Sequence, residues 1–237
     1  MIRAQKHSDS SDATVQCLSV TFDLALDHRQ IAQWRGAFVE MAGREFPLLH
    51  NHQENGAAIY QYPLVQYRTR KGKASLFAIG EGMSCLREVL SKRNWELNWQ
   101  GEKQQLYIAE MKTHETQLKL QDPPQTYRLR QYLGLNQDTY TLWQNADGLI
   151  ERVQLLEKSV RNHLLSCLWG LGWDSKEQLQ VKIQELQHSK VISFHAQALM
   201  SFDLTFSTRM NIPPGVGIGK AVSHGFGVVW PVLKEQQ

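Results

Sequence analysis

Cysteine is scarce in this sequence, and its few positions do not suit cross-linking. The 237 residues contain three cysteines, Cys17, Cys85 and Cys167, and no two of them form a CxxC pair. An odd number of widely separated cysteines argues against a disulfide framework and against a structural zinc site. We therefore expect a protein of the reducing cytoplasm, without a bound metal.

Long apolar segments are also missing. A membrane-spanning helix needs roughly 20 apolar residues, and LLSCLWGLGW at 164–173 is about half as long. The first dozen residues, MIRAQKHSDSSD, are polar and lack the apolar centre of a secretory signal. We expect residues 1–13 to form a loose N-terminal extension, and we expect a cytoplasmic protein with no membrane partner.

Neither sign of charge dominates the chain. Lysine and arginine total 26 and aspartate and glutamate total 23, so that the formal net charge is +3. The content of 42% hydrophobic and 21% charged residues excludes disorder over most of the chain, because disordered chains carry fewer apolar groups and more net charge. The small positive excess permits a polyanionic partner without requiring one.

A nucleotide-binding motif is absent, although residues 215–227, GVGIGKAVSHGFG, are rich in glycine. A Walker loop needs GxxxxGK[ST], but three residues separate Gly215 from Gly219, and Ala221 follows Lys220. The dinucleotide motif GxGxxG fails because position 222 is Val. Glycine at this density allows positive φ and a close backbone approach that exposes N–H groups to phosphate. The alternative is a flexible turn.

The first half of the chain alternates strand and helix patterns. Asp27 can cap a helix over 28–42, in which Ile31, Trp34 and Phe38 recur at helical spacing and after which Gly43 can end the helix. A second helix is predicted at 82–92, and strands at 14–26, 57–69, 74–79, 94–100 and 105–120. The order β-α-β-β-α-β is that of a ferredoxin-like domain.

A similar order of strands and helices follows Asp122-Pro123-Pro124. Proline interrupts regular structure, because it removes a backbone donor and biases the residue before it to extended geometry. We place a domain boundary there, giving an N-terminal domain at 14–122 and a C-terminal domain at 123–237. The second half predicts a helix at 148–169 and strands at 127–135, 178–187, 191–208 and FGVVWPV, but no clear second helix. The expected fold is α+β, with two tandem ferredoxin-like (RRM-like) domains, the second degenerate.

Two short segments of the first half could carry chemistry. His50 and His52 flank Asn51, and in an extended chain their side chains would point to the same side. Histidine suits proton transfer near neutral pH, although a packed or surface role is the alternative. Residues 66–73 hold four cations, Tyr67 and no acid. That mixture binds phosphate and stacks on bases, or it is a solvated hairpin tip.

The glycine spacing and the N-terminal segments together resemble one family. GxG, five residues and then GFG, from Gly217 to Gly227, resembles the C-terminal motif of the CRISPR-associated guide-RNA-processing endoribonucleases, Cas family six. In the N-terminal half, segments resemble the b-type branch of that family in the same order: WRGAF at 34–38, LHNH at 49–52, YQYPLVQYR at 60–68, KA at 73–74 and GEG at 80–82. Many members have Phe where this chain has Leu49.

The resemblance implies a metal-independent endoribonuclease that binds CRISPR repeat RNA and cleaves precursor transcripts into guide RNAs, without a cofactor. Attack by the 2′-hydroxyl would leave 2′,3′-cyclic phosphate and 5′-hydroxyl ends. The resemblance assigns catalysis to His50 and His52. The expected RNA-binding residues are Arg35, Tyr67, Arg68, Arg70, Lys71, Lys73, Gly217, Gly219, Lys220, His224, Gly225 and Gly227.

Two questions about partners stay open at this point. The alternative to an enzyme is a protein of the same fold that holds CRISPR repeat RNA without cutting it. A CRISPR effector complex and a second copy of the chain, as a homodimer, are further candidate partners that the sequence does not decide between.

Overall fold

The computed structural model describes residues 13–50, 61–92, 94–174 and 178–233. His52 and the first four residues of the strand predicted at 57–69 lie outside these ranges. Two four-stranded sheets dominate the fold, one in each half of the chain. Of the residues described, none belongs to a helix that is long and apolar enough to cross a membrane.

The N-terminal domain has the predicted ferredoxin-like order. Its elements are β1 (Ala13–Ala25), α1 (Ile31–Ala42), α2 (Pro47–His50), β2 (Val65–Arg70), β3 (Lys73–Ile79), α3 (Glu81–Ser91), the small hairpin β4 (Glu96–Trp99) and β5 (Glu102–Gln105), and β6 (Ile108–Leu118). The sheet order is β2-β3-β1-β6, with antiparallel neighbours.

The start, the buried face and the end of α1 lie where the sequence predicts them. The Asp27 side chain accepts a hydrogen bond from the Arg29 N–H and begins a 3-10 turn that leads into α1. Ile31, Trp34 and Phe38 form the buried face of α1, because residues three and four apart share one side of a helix. Gly43, at φ 100°, ends the helix.

The C-terminal domain repeats the sheet and loses a helix. It comprises β7 (Leu120–Tyr132), α4 (Gln137–Asn145), α5 (Leu149–Gly170), β8 (Lys182–Phe194), β9 (Gln197–Met210) and β10 (Val228–Pro231), with the sheet order β10-β7-β9-β8. Between β9 and β10, where a ferredoxin-like unit has its second helix, the chain forms the glycine-rich loop 211–227 with a 3-10 turn at Val222–His224. The second domain is therefore degenerate, as predicted.

The two domains share one of the two cores. Leu18 and Val20 point to the helices of the N-terminal domain, whereas Cys17, Phe77 and Ile79 pack with residues of the C-terminal domain. Because successive strand residues face opposite sides of a sheet, β1 and β3 supply both cores. Asp122, at the predicted boundary, lies near the start of β7. The three cysteines are free.

Candidate active site

The glycine-rich loop is attached to strand β2 through a buried glutamine. Gln66 has 0% exposure, and its Oε1 accepts a 3.2 Å hydrogen bond from the N–H of Gly217. Its Nε2 donates to the hydroxyl of Tyr62 at 2.8 Å, and that hydroxyl donates to the carbonyl of Gly217 at 2.8 Å. Both backbone groups of Gly217 are thus held by the N-terminal domain.

The backbone of the loop folds on itself and on its neighbours. Gly219, Gly225 and Gly227 take positive φ, at 97°, 83° and 67°, as their density predicted. Many of the amides are already bonded within the protein: the acceptors for residues 217, 220, 225 and 227 are the Gln66 side chain and the carbonyls of Leu133, Val222 and Gln131. The fold itself uses these four N–H groups, and an RNA contact by the rest of the loop stays a prediction.

His224 ends the 3-10 turn of the loop and faces the N-terminal domain. Its Nε2 lies 3.5 Å from Nη1 of Arg35, and its Nδ1 lies 3.2 Å from Oγ of Ser223. Since a guanidinium only donates, Nε2 must be the acceptor and Nδ1 carries the proton. Burial, together with the charges of Arg35 and His195, lowers the pKa of His224 to about 4. The ring is therefore neutral at pH 7.

Arg35 joins His224 to the predicted catalytic segment. Its Nη2 donates a 2.6 Å hydrogen bond to the carbonyl of His50, and burial lowers its pKa, although an arginine stays charged at neutral pH. The Nε2 of His50 lies 3.1 Å from the carbonyl of Arg44. A carbonyl only accepts, so that this nitrogen carries the ring proton and Nδ1 is the basic nitrogen of the neutral ring.

These residues line a cleft between the two domains, which we call the histidine cleft. Its volume is about 710 Å³, and it is lined by Ala32, Arg35, Gly36, Val39, Glu40, Arg44, His50, His195 and His224. Two arginines and three histidines face one glutamate, which makes the cleft suited to a phosphate group. Within the described ranges, no cluster of histidine, cysteine or acidic side chains could hold a metal ion.

A second cleft, which we call the basic cleft, lies on the other side of His224. It measures about 420 Å³. Its cationic and titratable lining consists of His28, Arg68, Arg70, Lys71, Arg130 and His224, and its aromatic lining includes Phe77, Phe226 and Trp230. His224 belongs to both clefts. The two clefts therefore meet at this histidine.

The predicted basic segment 66–73 divides into structural and accessible cations. Arg68 is half-buried: it donates to Oε1 of Gln66, lies 4.6 Å above the ring of Phe77, and has its pKa lowered to about 10 by burial. Arg70 pairs with Glu110 at 3.0 Å and Lys73 with Asp23 at 2.7 Å. Lys71 lies in the turn between β2 and β3, exposed at the edge of the basic cleft.

Six of the predicted RNA-binding residues line neither cleft: Tyr67, Lys73, Gly217, Gly219, Lys220 and Gly227. The ring of Tyr67 is fully buried beside Trp34 and Phe38, and its hydroxyl donates to the carbonyl of Leu49 at 3.1 Å. This side chain is part of the core, which corrects its expected role as a stacking surface. Lys220 lines neither cleft. Its charge, after the larger effect of burial, lowers the pKa of His163 to about 4.

Sequence reasoning missed His195. The strand predicted at 191–208 is interrupted by a two-residue turn at His195–Ala196 that joins β8 to β9. Such turns are usually signalled by Asn-Gly or Asp-Gly, whereas residues 195–196 are His-Ala. Arg130 and Trp230, on β7 and β10, also line the basic cleft without having been predicted.

Comparisons with known proteins agree with this architecture. The model of the Cas6b N-terminal domain matches residues 13–117, and that of the Cas6b C-terminal domain matches residues 119–232. A crystal structure of Cas6b is 26% identical and covers 93% of this chain and 100% of its own, with a TM-score of 0.79. A crystal structure of the CRISPR RNA processing endoribonuclease Cas6b, 24% identical, has the same fold with a TM-score of 0.69 over 93% of this chain and 100% of its own.

A curated relative matches over a shorter stretch. The uncharacterized protein MJ0978 of Methanocaldococcus jannaschii is 30% identical over 98 residues, which are 41% of this chain and 65% of that protein. The chain thus spans slightly less than two thirds of this relative.

Proposed function

This chain belongs to the Cas6b family, and from that premise we propose that it is a metal-independent endoribonuclease that binds CRISPR repeat RNA and cleaves precursor transcripts into guide RNAs. The observation that carries the proposal is the histidine cleft, in which Arg35 joins the His50 segment of one domain to His224 of the other. The cleft combines proton-transfer groups with fixed positive charge, the two requirements of RNA phosphodiester cleavage without a metal.

The chemistry needs little beyond alignment and proton transfer. RNA carries its own nucleophile, the 2′-hydroxyl beside the scissile phosphate, so that the protein must remove one proton, hold the attack in line and protonate the departing 5′-oxygen. We assign His50 and His52 to proton transfer, one as acid or base and the other as its partner or as a phosphate ligand. Arg35 offsets the charge that develops on the phosphorane.

The RNA strand is proposed to cross His224, with one part in the basic cleft and the scissile phosphate in the histidine cleft. Lys71 and Arg130 supply accessible charge to the first part, and the aromatic rings of Phe226 and Trp230 offer stacking surfaces. Arg35 and Arg44 supply charge to the second part.

The test is cleavage of a CRISPR repeat transcript by the purified protein in excess EDTA. We expect two RNA fragments, one ending in a 2′,3′-cyclic phosphate and the other beginning with a 5′-hydroxyl, which phosphatase and kinase treatment identify. Tight binding without any cleavage would instead support the non-catalytic repeat-binding protein. A requirement for a divalent metal would contradict the proposed mechanism.

Replacing His50 with Ala should slow single-turnover cleavage by about 100-fold or more, with RNA affinity little changed. Removing the imidazole leaves the backbone carbonyl of His50, which is the group that Arg35 contacts, so that the positive charge of the cleft stays in place. His188→Ala is the matched control, because His188 is an exposed histidine of β8 that lines neither cleft. Equal rates for His50→Ala and the control would remove His50 from the mechanism.

Replacing Lys71 and Arg130 together with Gln should weaken RNA binding and flatten its salt dependence. Each lost phosphate contact on a single strand lowers the slope of log affinity against log salt by about 0.7, so the double variant should lose up to about 1.4. Arg68 and Lys73 are left intact because each already has a partner. The control is Lys103→Gln with Arg209→Gln, which removes the same charge from outside both clefts. A slope equal to that of the control would exclude the basic cleft as the binding site.

A further inference from the structure

The hairpin of β8 and β9 ends in a conformation that its residues disfavour. Phe194 and Gln197 form the last pair of the ladder, and the two turn residues, His195 and Ala196, have φ of 49° and 60°. Left-handed backbone at both turn positions is typical of Asn-Gly, and each residue with a Cβ in that region has an energetic cost. A turn that holds His and Ala in this way invites a functional explanation for the histidine.

The tip of the hairpin is fixed against the glycine-rich loop by aromatic contacts. The ring of Phe194 meets His224 at 5.3 Å and Phe226 at 5.4 Å between centroids, both edge to face. The imidazole of His195 lies 5.7 Å from that of His224 at 85°. Two segments of the C-terminal domain that are distant in sequence therefore place His195 on one wall of the histidine cleft.

Each domain contributes its own set of ionisable side chains to this cleft, and we call each set a wall. The N-terminal domain contributes Arg35, Arg44 and His50, and the C-terminal domain contributes His195 and His224. In-line attack places the nucleophile and the leaving group on opposite sides of the phosphorus, so that the base and the acid must also approach from opposite sides. A substrate phosphate between the walls would meet the base on one wall and the acid on the other.

The second wall holds two histidines, and only one of them suits the acid. The lowered pKa keeps the ring of His224 neutral at pH 7, and its Nε2 faces a guanidinium. A neutral ring whose Nε2 accepts a hydrogen bond from Arg35 has no proton to give from that nitrogen. The imidazole of His195 is exposed and lines the same cleft, where a substrate phosphate can reach it.

We propose that His195 is a catalytic residue, the general acid that protonates the leaving group in RNA cleavage. As the 2′-oxygen bonds to phosphorus, the bond from phosphorus to the 5′-oxygen breaks, and the imidazolium of His195 gives its proton to that oxygen. The proton of the 2′-hydroxyl passes to the base on the His50 wall, and exchange with water restores both groups. This assignment rests on the proposed endoribonuclease function.

The experiment compares two substrates that differ in one leaving-group atom. His195→Asn keeps a residue type that tolerates left-handed backbone but cannot transfer a proton. On ordinary repeat RNA, this variant should cleave about 100-fold more slowly than the wild type under single-turnover conditions. On RNA with a bridging 5′-sulfur at the scissile position, it should stay within about threefold of the wild type, because a thiolate leaves without protonation.

Controls separate this role from binding and folding. His188→Asn makes the same replacement on the adjoining strand β8, outside the cleft, and should match the wild type on both substrates. His195→Gly, which accepts positive φ without strain, repeats the test if the Asn variant loses the native circular dichroism spectrum. An equal loss on both substrates, or no loss on ordinary RNA, would overturn the assignment. If the wild type cleaves neither substrate, the proposed function fails first and the assignment falls with it.

Discussion

Replacing the 2′-hydroxyl of the scissile nucleotide with hydrogen is expected to abolish cleavage and to leave RNA binding unchanged. The substituted RNA has lost its internal nucleophile. In the proposed mechanism the protein supplies groups that move protons and offset charge, but no nucleophile of its own. Binding draws on phosphate charge and base stacking, neither of which depends on this one hydroxyl. The effect should therefore be confined to the chemical step.

The measurement is single-turnover cleavage in EDTA, combined with an affinity titration on the same RNA. A substrate with the 2′-deoxy substitution one nucleotide downstream serves as the control, because it changes the sugar without removing the nucleophile. That control should be cut at the normal position and at nearly the normal rate. Cleavage of the RNA that is deoxy at the scissile position would mean that water attacks the phosphate, and the proposed mechanism would then be wrong.

Local signals in the sequence were sufficient to predict most of the fold. The 3.6-residue spacing of Ile31, Trp34 and Phe38, with Asp27 before them, predicted α1, and alternation predicted the strands of both sheets. Helix α4 was missed because it is short and turns only Tyr140 and Trp143 toward the core, neither of them fully buried. So small an apolar face leaves little periodic signal, and the helix start depends on the Asn136 and Thr139 capping box.

The candidate site depends on contacts that no local pattern contains. Arg35 and His224 are 189 residues apart in the chain, and they meet because Gln66 holds Gly217 against the N-terminal domain. Family resemblance had supplied both residues as RNA-binding candidates but not their contact. Tyr67 could not be distinguished from a stacking residue by alternation, since alternation gives two faces without saying which one is covered.

The glycine-rich loop also shows that packing within the protein can itself require glycine. Its glycines were attributed to a close approach by phosphate. In the structure, a Cβ at Gly219 would lie 2.8 Å from the ring of Tyr132, and one at Gly225 would lie 3.0 Å from the carbonyl of Tyr67. These positions exclude side chains because the protein's own atoms occupy the space, and the loop is thereby fixed close to both domains.

Gly227 is where this packing is tightest, and Gly227→Ala is expected to destabilise the protein strongly. A Cβ there would lie 1.9 Å from the carbonyl oxygen of Ile218, whose own N–H donates to the carbonyl of Gly227 at 2.8 Å. Backbone cannot yield as a flexible side chain can, so that the two segments of the loop at Ile218 and Gly227 must separate. The positive φ of 67° adds roughly 1–2 kcal/mol for a residue with a Cβ.

Gly72→Ala separates the two effects. Gly72 has a similar φ of 73°, but a Cβ there meets nothing within 4 Å, so that this control has only the backbone cost. We expect Gly227→Ala to lower the free energy of unfolding by about 3 kcal/mol or more, in the range of severe core defects, and Gly72→Ala by about 1–2 kcal/mol. Urea denaturation followed by circular dichroism measures both. Equal losses would mean that the backbone at Gly227 can move away from Ile218, and close packing would then not be the reason for glycine at this position.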